Sequence, residues 1–387
     1  MNIIHQDKSQ KKIRVLLTVP HLTSSASPYR AMMAIARYLP KDRFDLTICS
    51  LRRNGIEETG PLLDELGVSY FVARYRIKHP SELRRLIEAN RVIKQHGPFD
   101  IQHSFDFTTI PVEAIVARLG GRFFIHQQRN MNEGGHLALL LMRIYLSHRV
   151  IAISNGVRNF LLENRIADKK IELIHNGMEV FGGPIEKVTS LKRNLHEHDE
   201  RPLKILMVSQ CIPLKKIEHA IAVIIRLKHK YPNILLEIIG PEYDQVYKVK
   251  LLQIITDYKA EENVIFMGNM DNQDVLDMMC QADIFLHCAE KEAFGWVILE
   301  AFSQKLPVVA AKSEGAIDII KHGKTGLLYD AGNIEQLREN IDYLIEHQAY
   351  RDEMAESAYQ DMLVRFSAHA MVEKIADLYT EIMKKNE

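Results

Sequence analysis

The chain has few of the features that mark metal, disulfide or membrane-spanning proteins. Four cysteines, Cys49, Cys211, Cys280 and Cys288, are scattered over 387 residues without a C-x-x-C pair or a metal-type spacing to histidine. Free thiols in a reducing cytosol are therefore expected, and no structural zinc. The longest apolar stretch, Leu137–Met142 continuing through Ile144, Tyr145 and Leu146, is broken by Arg143 and falls far short of the roughly 20 residues that span a bilayer. It reads as a buried helix or, alternatively, as a segment that touches lipid or the apolar tail of a substrate. The N-terminus, MNIIHQDKSQKK, lacks the apolar core of a signal peptide. No G-x-G-x-x-G follows the first strand of either half, which disfavours a nicotinamide dehydrogenase. Low-complexity tracts are absent, and a formal net charge of +0 gives no sign of a nucleic-acid binder.

What is present is enough apolar surface for two ordinary domains, with 47% of residues hydrophobic. The neutral total hides an asymmetry, since residues 1–180 carry 26 Lys and Arg against 17 Asp and Glu, and residues 181–387 carry 24 against 33. Either two domains of opposite sign attract each other, or the basic half meets an acidic acceptor or an anionic membrane surface.

Short β-branched runs alternate with segments of helical period. IRVLLTVP, FDLTICSL, VSYFVA, DIQHSF, RFFIHQ and VIAIS read as strands of a first sheet, and LKILMVS, ILLEIIG, NVIFMG, DIFLHC and PVVAA as strands of a second. Strands separated by helices of this length mean βαβ units and parallel sheets. The organisation expected is an N-terminal domain over 1–180, a charged, Gly/Pro-containing linker over 181–200 and a C-terminal domain over 201–365. A final helix, over 366–387, crosses back to the first domain. Ligands in open α/β sheets bind beyond the carboxyl ends of strands, so two facing domains place the site in a central cleft.

The strongest local signal is KEAFGWVILEAF, Lys291–Phe302, which follows closely on DIFLHC. Glu292 falls in a strand-to-helix loop. Glu300 stands about two turns further on, inside the helix. The intervening Phe294–Gly295 leaves backbone amides at a helix N-terminus, an anion site in waiting. Carboxylates on either side suit sugar and ribose hydroxyls. An ordinary amphipathic helix with solvated acids explains the same residues equally well when they are taken alone.

The segment E-A-F-G-W-V-I-L-E-A resembles the E-x7-E signature of the retaining glycosyltransferases of family 4, which have the GT-B fold of two Rossmann-like domains. LMVSQCIPLKKIEHAI is similar to that family's V-G-R-L-x-x-x-K-G. PVVAAKSEGAIDIIKHGKTGLLY is similar to P-V-V-A-x-x-x-G-G-x-x-E-I-I-x-x-G-x-x-G-L-L, and VIAISNGVRNFL and IELIHNGME to the usual end of the first domain. The resemblance implies that Glu292 contacts the donor sugar and Glu300 the ribose hydroxyls. Phe294, Gly295 and the adjoining Trp296 would line the sugar or diphosphate, and Lys215 would offset charge on the leaving nucleoside diphosphate. Three departures stand out. Gln210 replaces the usual diphosphate arginine and supplies no charge. Glu314–Gly315 stands where a G-G pair is usual, and Ser24, Ser25, Ala26 and Ser27 replace the first-domain glycine loop. For the family's histidine near the anomeric carbon, the candidates are His126, Arg129 and His103. A D-x-D, the metal-chelating element of the other large glycosyltransferase fold, is missing, so no metal or cofactor is expected. Lys215 and helix N-termini carry the leaving-group charge instead.

The function expected is retaining transfer of a sugar from a nucleoside-diphosphate donor, UDP-linked, to a hydroxyl of a glycan, lipid or protein. The expected location is the cytoplasm, with peripheral contact at the inner face of the membrane through the basic N-terminal domain. A nucleotide-sugar epimerase or sugar phosphorylase on the same fold, and a catalytically silent nucleotide-binding scaffold, are the alternatives.

Overall fold

A computed structural model describes residues 11–23, 27–73, 84–106, 109–131, 136–179 and 201–385. Ser24, Ser25, Ala26 and the 181–200 linker lie outside the described residues. The chain divides into two compact units, one made of Met1–Glu179 with Ala368–Glu387, the other of Val180–Ser367.

In the first unit the elements are β1 (Ile13–Val19), α1 (Ser27–Tyr38), β2 (Phe44–Ser50), α2 (Ile56–Glu65), β3 (Ser69–Val72), α3 (Arg84–Gln95) and β4 (Ile101–Ser104). They continue through α4 (Val112–Leu119), β5 (Phe123–Gln128), α5 (Leu137–Leu146), β6 (Arg149–Ala152), α6 (Asn155–Glu163) and β7 (Ile171–Leu173). All seven strands are parallel, in the order β3-β2-β1-β4-β5-β6-β7. The central strands are buried on both faces, which is why IRVLLTV reads as a continuous apolar run rather than an alternating one.

The second unit repeats the plan with β8 (Leu203–Val208), α7 (Ile217–Leu227), β9 (Ile234–Ile239), α8 (Gln245–Asp257), β10 (Val264–Gly268), α9 (Asn272–Gln281) and β11 (Ile284–His287). It ends with α10 (Trp296–Ser303), β12 (Val308–Ala311), α11 (Glu314–Ile319), β13 (Leu327–Tyr329), α12 (Ile334–Glu346) and α13 (Gln348–Arg365). Its six parallel strands run β10-β9-β8-β11-β12-β13.

The last helix, α14 (Ala368–Lys384), belongs to the first unit, as the sequence suggested. Met371, Val372, Ile375, Ala376 and Tyr379 recur at helical spacing and are buried in the core that contains α1 and β1. The Tyr379 hydroxyl meets His103 Nδ1 at 2.7 Å, and the Ala368 amide donates to the Met178 carbonyl at 2.9 Å.

One element departs from expectation. The stretch Leu137–Leu146 is helical but only partly buried, and its single charged residue points inward with Leu140 and Ile144. Arg143 is 0% exposed. Its guanidinium donates to Glu113, to Ser104 Oγ at 2.7 Å, to the Ile110 carbonyl at 2.9 Å and to His126 Nδ1 at 3.2 Å. Ser104 Oγ in turn donates to Glu113 at 2.5 Å. An arginine with this many partners has its donors met, so its burial is paired rather than orphaned.

Removing one member of such a pair leaves the other buried and uncompensated. Arg143→Met is expected to cost about 3–5 kcal/mol in urea unfolding, whereas the double variant with Glu113→Leu recovers at least half of that. A single-variant cost below about 1 kcal/mol would show that the network does not hold α5 in place.

Candidate functional site

The strand order of the second unit reverses between β8 and β11, and in open α/β sheets the crevice beyond the carboxyl ends at such a switch point is where ligands bind. A cavity of about 350 Å³ lies there. Its wall takes Val208, Ser209 and Gln210 from the end of β8, Ile239, Gly240 and Pro241 from the end of β9, and His287 from the end of β11. Asn269, Met270 and Val275 close one side, and Lys215, Glu292, Trp296 and Val297 the other.

Lys215 ends a short 3-10 turn, Pro213–Lys215, and its Nζ donates to Glu292 Oε2 at 2.7 Å. Lys216 beside it adopts φ 51° and reaches Glu290 at 3.5 Å. His287, 2% exposed, stands with Nε2 3.9 Å from the same Glu292 oxygen. Burial pushes the Glu292 carboxyl up, but Lys215, His287 and the Phe294 amide outweigh it and hold the group below its ordinary value. For His287, burial outweighs the attraction of Glu292 and, with Lys215 nearby, pulls the imidazole down to about 4. The site at neutral pH therefore holds a carboxylate beside a neutral imidazole.

The loop that carries Glu292 is fixed from two sides. Phe294 buries its ring against Trp296 and Phe366, with centroids 5.5 and 6.2 Å away. Gly295 then takes φ 96° as the N-cap of α10, a conformation that glycine adopts without penalty. On the far side Gly315, at the start of α11, donates its amide to the Glu292 carbonyl at 2.7 Å. A Cβ on Gly315 would sit 2.3 Å from the Phe294 carbonyl oxygen, so this approach of α11 to the loop needs a residue without a side chain.

Of the residues singled out from the sequence, Gln210, Lys215, Glu292 and Trp296 share the cavity wall, and Phe294, Gly295 and Gly315 form the loop contact behind it. Glu314 begins α11 next to that contact, with its Oε2 buried and without a hydrogen-bond partner among the described residues. Glu300, one turn beyond Trp296 and 5% exposed, is not part of this wall. Ser25 lies outside the described residues. Sequence reasoning missed His287 and Ser209. The signal available for both was position, since each sits at or just past the carboxyl end of a strand flanking the switch point.

His103, His126 and Arg129 belong to the first unit. His103 is a core residue, between Tyr379 and Phe105 and pushed down to about 3 by burial. His126 is also buried, and both of its ring nitrogens are engaged: Nδ1 accepts from Arg143 and Nε2 lies 2.8 Å from Gln128 Oε1. Burial first, then the charge of Arg143, brings it to about 3. That arrangement orders β5 and leaves neither nitrogen open to a substrate. Arg129 stands just past the end of β5, partly buried, and desolvation lowers its guanidinium to about 10. Among the described residues no three His, Cys, Asp or Glu side chains are placed to hold a metal ion.

Two six- or seven-stranded Rossmann-like sheets in one chain, with a cavity at the switch point of the second, define a GT-B architecture. A glycosyltransferase from Rickettsia africae matches it with a TM-score of 0.80 at 22% identity, covering 97% of this chain and 100% of that one. Anabaena HepE in complex with UDP and glucose matches with a TM-score of 0.77 at 20% identity, covering 95% and 99%. Family models for glycosyl transferases group 1 and glycosyltransferase family 4 match residues 189–361 and 30–180, and the chain belongs to that family. In sequence it is 23% identical over 247 residues to the N-acetyl-alpha-D-glucosaminyl L-malate synthase of Bacillus anthracis, a match over 64% of this chain and 63% of that protein.

The buried imidazole of His287 gives the second unit a pH signature. Its value when folded, about 4, lies below the ordinary 6.5, so the unfolded chain binds the proton first as pH falls. Stability from this group is complete above about pH 6.5 and is lost toward pH 4, at up to about 1.4 kcal/mol per pH unit. Subtracting the unfolding free energy of His287→Asn from that of wild type at pH 7, 6 and 5 is expected to show the decline. A difference that stays constant with pH would mean that His287 is not held neutral.

Proposed function

We propose that the chain is a retaining glycosyltransferase that uses a UDP-linked sugar, held in the second unit, and delivers it to a hydroxyl of a glycan, lipid or protein. The observation that carries this reading is the Lys215–Glu292 pair on the wall of the switch-point cavity. A lone, partly buried ion pair is a poor source of stability. Here the pair borders a cavity in which Ser209 Oγ and His287 Nε2 are buried without hydrogen-bond partners among the described residues, and Ser313 Oγ and Glu314 Oε2 nearby are in the same condition. Polar atoms left in that state are explained by a polyhydroxylated, charged ligand that completes them.

In this reading the diphosphate lies against Lys215 and the first turn of α10, where the amide ends of a helix favour an anion. The ammonium then meets phosphate oxygens, and its charge grows in value as the sugar–phosphate bond breaks and the nucleoside diphosphate leaves. Glu292, kept ionised, accepts hydroxyls of the transferred sugar. Glu300, one turn along the same helix, takes the ribose hydroxyls, as the family resemblance implies. Gln210 hydrogen-bonds the diphosphate where the family places an arginine. Arg129 is kept as the first-unit group facing substrate, because His126 is engaged at both ring nitrogens and His103 is buried in the core against Tyr379 and Phe105. HepE, solved with UDP and glucose, supports the choice of UDP. None of the four cysteines forms a disulfide, which supports a reducing cytosol. No described helix is long and apolar enough to cross a membrane. The basic balance of the first half fits an acceptor that is anionic or is held at an anionic surface.

With a panel of UDP-sugars, product or slow hydrolysis is expected to keep the anomeric configuration of the donor by NMR, and Lys215→Met is expected to lower kcat about 10²–10³-fold. An inverted product would overturn retention, and an unchanged kcat would remove Lys215 from leaving-group stabilisation.

A further inference from the structure

The outward face of α5 is apolar from end to end. Leu137, Leu139, Met142 and Tyr145 are 40, 37, 48 and 62% exposed, and Ala138 is exposed between them. At 100° per residue, Ala138, Leu139, Met142 and Tyr145 fall on one side of the helix, opposite Leu140, Arg143 and Ile144, which are buried. A surface helix ordinarily turns its charges to water. This one has a single charge and buries it, so no ionised group stands on its outer face. Exposed apolar patches of this kind mark interaction sites.

The C-terminal end of α5 carries the opposite chemistry. Arg118 Nε donates to the Leu146 carbonyl at 2.7 Å and Lys170 Nζ to the Tyr145 carbonyl at 2.8 Å, with the Lys170 ammonium 5.8 Å from the Tyr145 ring centroid. Neither Arg118 nor Lys170 pairs with a carboxylate among the described residues. Arg149 joins the group, with Glu381 at 3.2 Å as its counter-ion. The crowding has an electrostatic cost. Burial and then Arg118 and Arg149 hold the Lys170 ammonium below its ordinary value, and burial and the same cations hold His148 down. A nearby anionic surface would relieve that repulsion.

We propose that α5 and its basic end form a docking face for an anionic lipid bilayer, with Leu139, Met142 and Tyr145 entering the interface and Arg118 and Lys170 meeting lipid headgroups. Apolar residues on one face of a helix with cations beside it form the combination that binds interfaces by buried area and charge together. The inference deepens the reading of the first half as the side that meets an anionic surface. It does not depend on the donor site in the second unit.

The test uses the full chain, without nucleotide, in flotation assays with phosphatidylcholine vesicles that contain about 30 mol% phosphatidylglycerol, and with pure phosphatidylcholine vesicles. Wild type is expected to float with the anionic vesicles and to partition at least about tenfold less onto the neutral ones. Leu139→Ser/Met142→Ser/Tyr145→Ser is expected to lose at least about tenfold on the anionic vesicles, and Lys170→Gln about fivefold. These side chains are exposed, and an unchanged unfolding midpoint confirms that the variants fold. Equal flotation of the triple variant and wild type, or no flotation of wild type, overturns the proposal. If wild type does not float and sediments as a dimer that the triple variant abolishes, the face belongs to a second copy of the chain instead. UDP binding measured on the same samples reports on the donor site separately, so failure of one reading leaves the other standing.

Discussion

Three strand ends of the second unit converge on Glu292. The turn after β8 supplies Lys215 to its carboxylate, the end of β11 supplies His287, and α11, which follows β12, supplies the Gly315 amide to its carbonyl. The rest of the site depends on that convergence, because each contact requires the parallel register of β8, β11 and β12 to bring its carboxyl end to the same level. Parallel strands need crossover helices, and those helices set the depth of the loops between them. Glu292 is thus placed by backbone architecture and charged by its neighbours, with Gly315 as the steric condition for the approach of α11 to the loop.

The same economy of burial shapes the first unit in the opposite sense. Arg143 is carried by a helix of otherwise apolar residues, and the demand of its guanidinium for Glu113, Ser104 and His126 outweighs the preference of Leu139 and Met142 for the interior. A buried ion needs its partners more than an exposed leucine needs a core. The consequence reaches function from two directions. It consumes His126, one of the three first-half candidates for the group near the reacting carbon, and it leaves an uncharged face on the surface of a basic domain.

Most of the architecture was legible in the residues because long β-branched strands and helical periods leave strong marks. IRVLLTV, LKILMV and ILLEII are strands with the bounds their composition implies, to within a residue or two. The strands β7 and β13, three residues each at the sheet edges, carry too few positions to show a period and were not distinguished as strands. At the site, Lys215, Glu292 and Gly315 were legible from spacing and resemblance. His287 was not, because a histidine at the end of an apolar strand gives no local sign of the carboxylate it meets. The orientation of α5 was hidden for a related reason. Nine of its ten residues are apolar, and what turns the helix over is the pairing of Arg143 with Glu113, 30 positions earlier in the chain.

If the second unit holds a nucleoside diphosphate through Lys215 at the switch-point cavity, nucleotide affinity depends on that side chain. The decisive measurement is isothermal titration of UDP, GDP and ADP into the wild-type chain, Lys215→Met and Glu300→Ala. Selective binding of UDP, weakened at least about tenfold by each substitution, is expected. Binding that survives both substitutions unchanged, or no nucleotide binding by the wild-type chain, would contradict this role of Lys215.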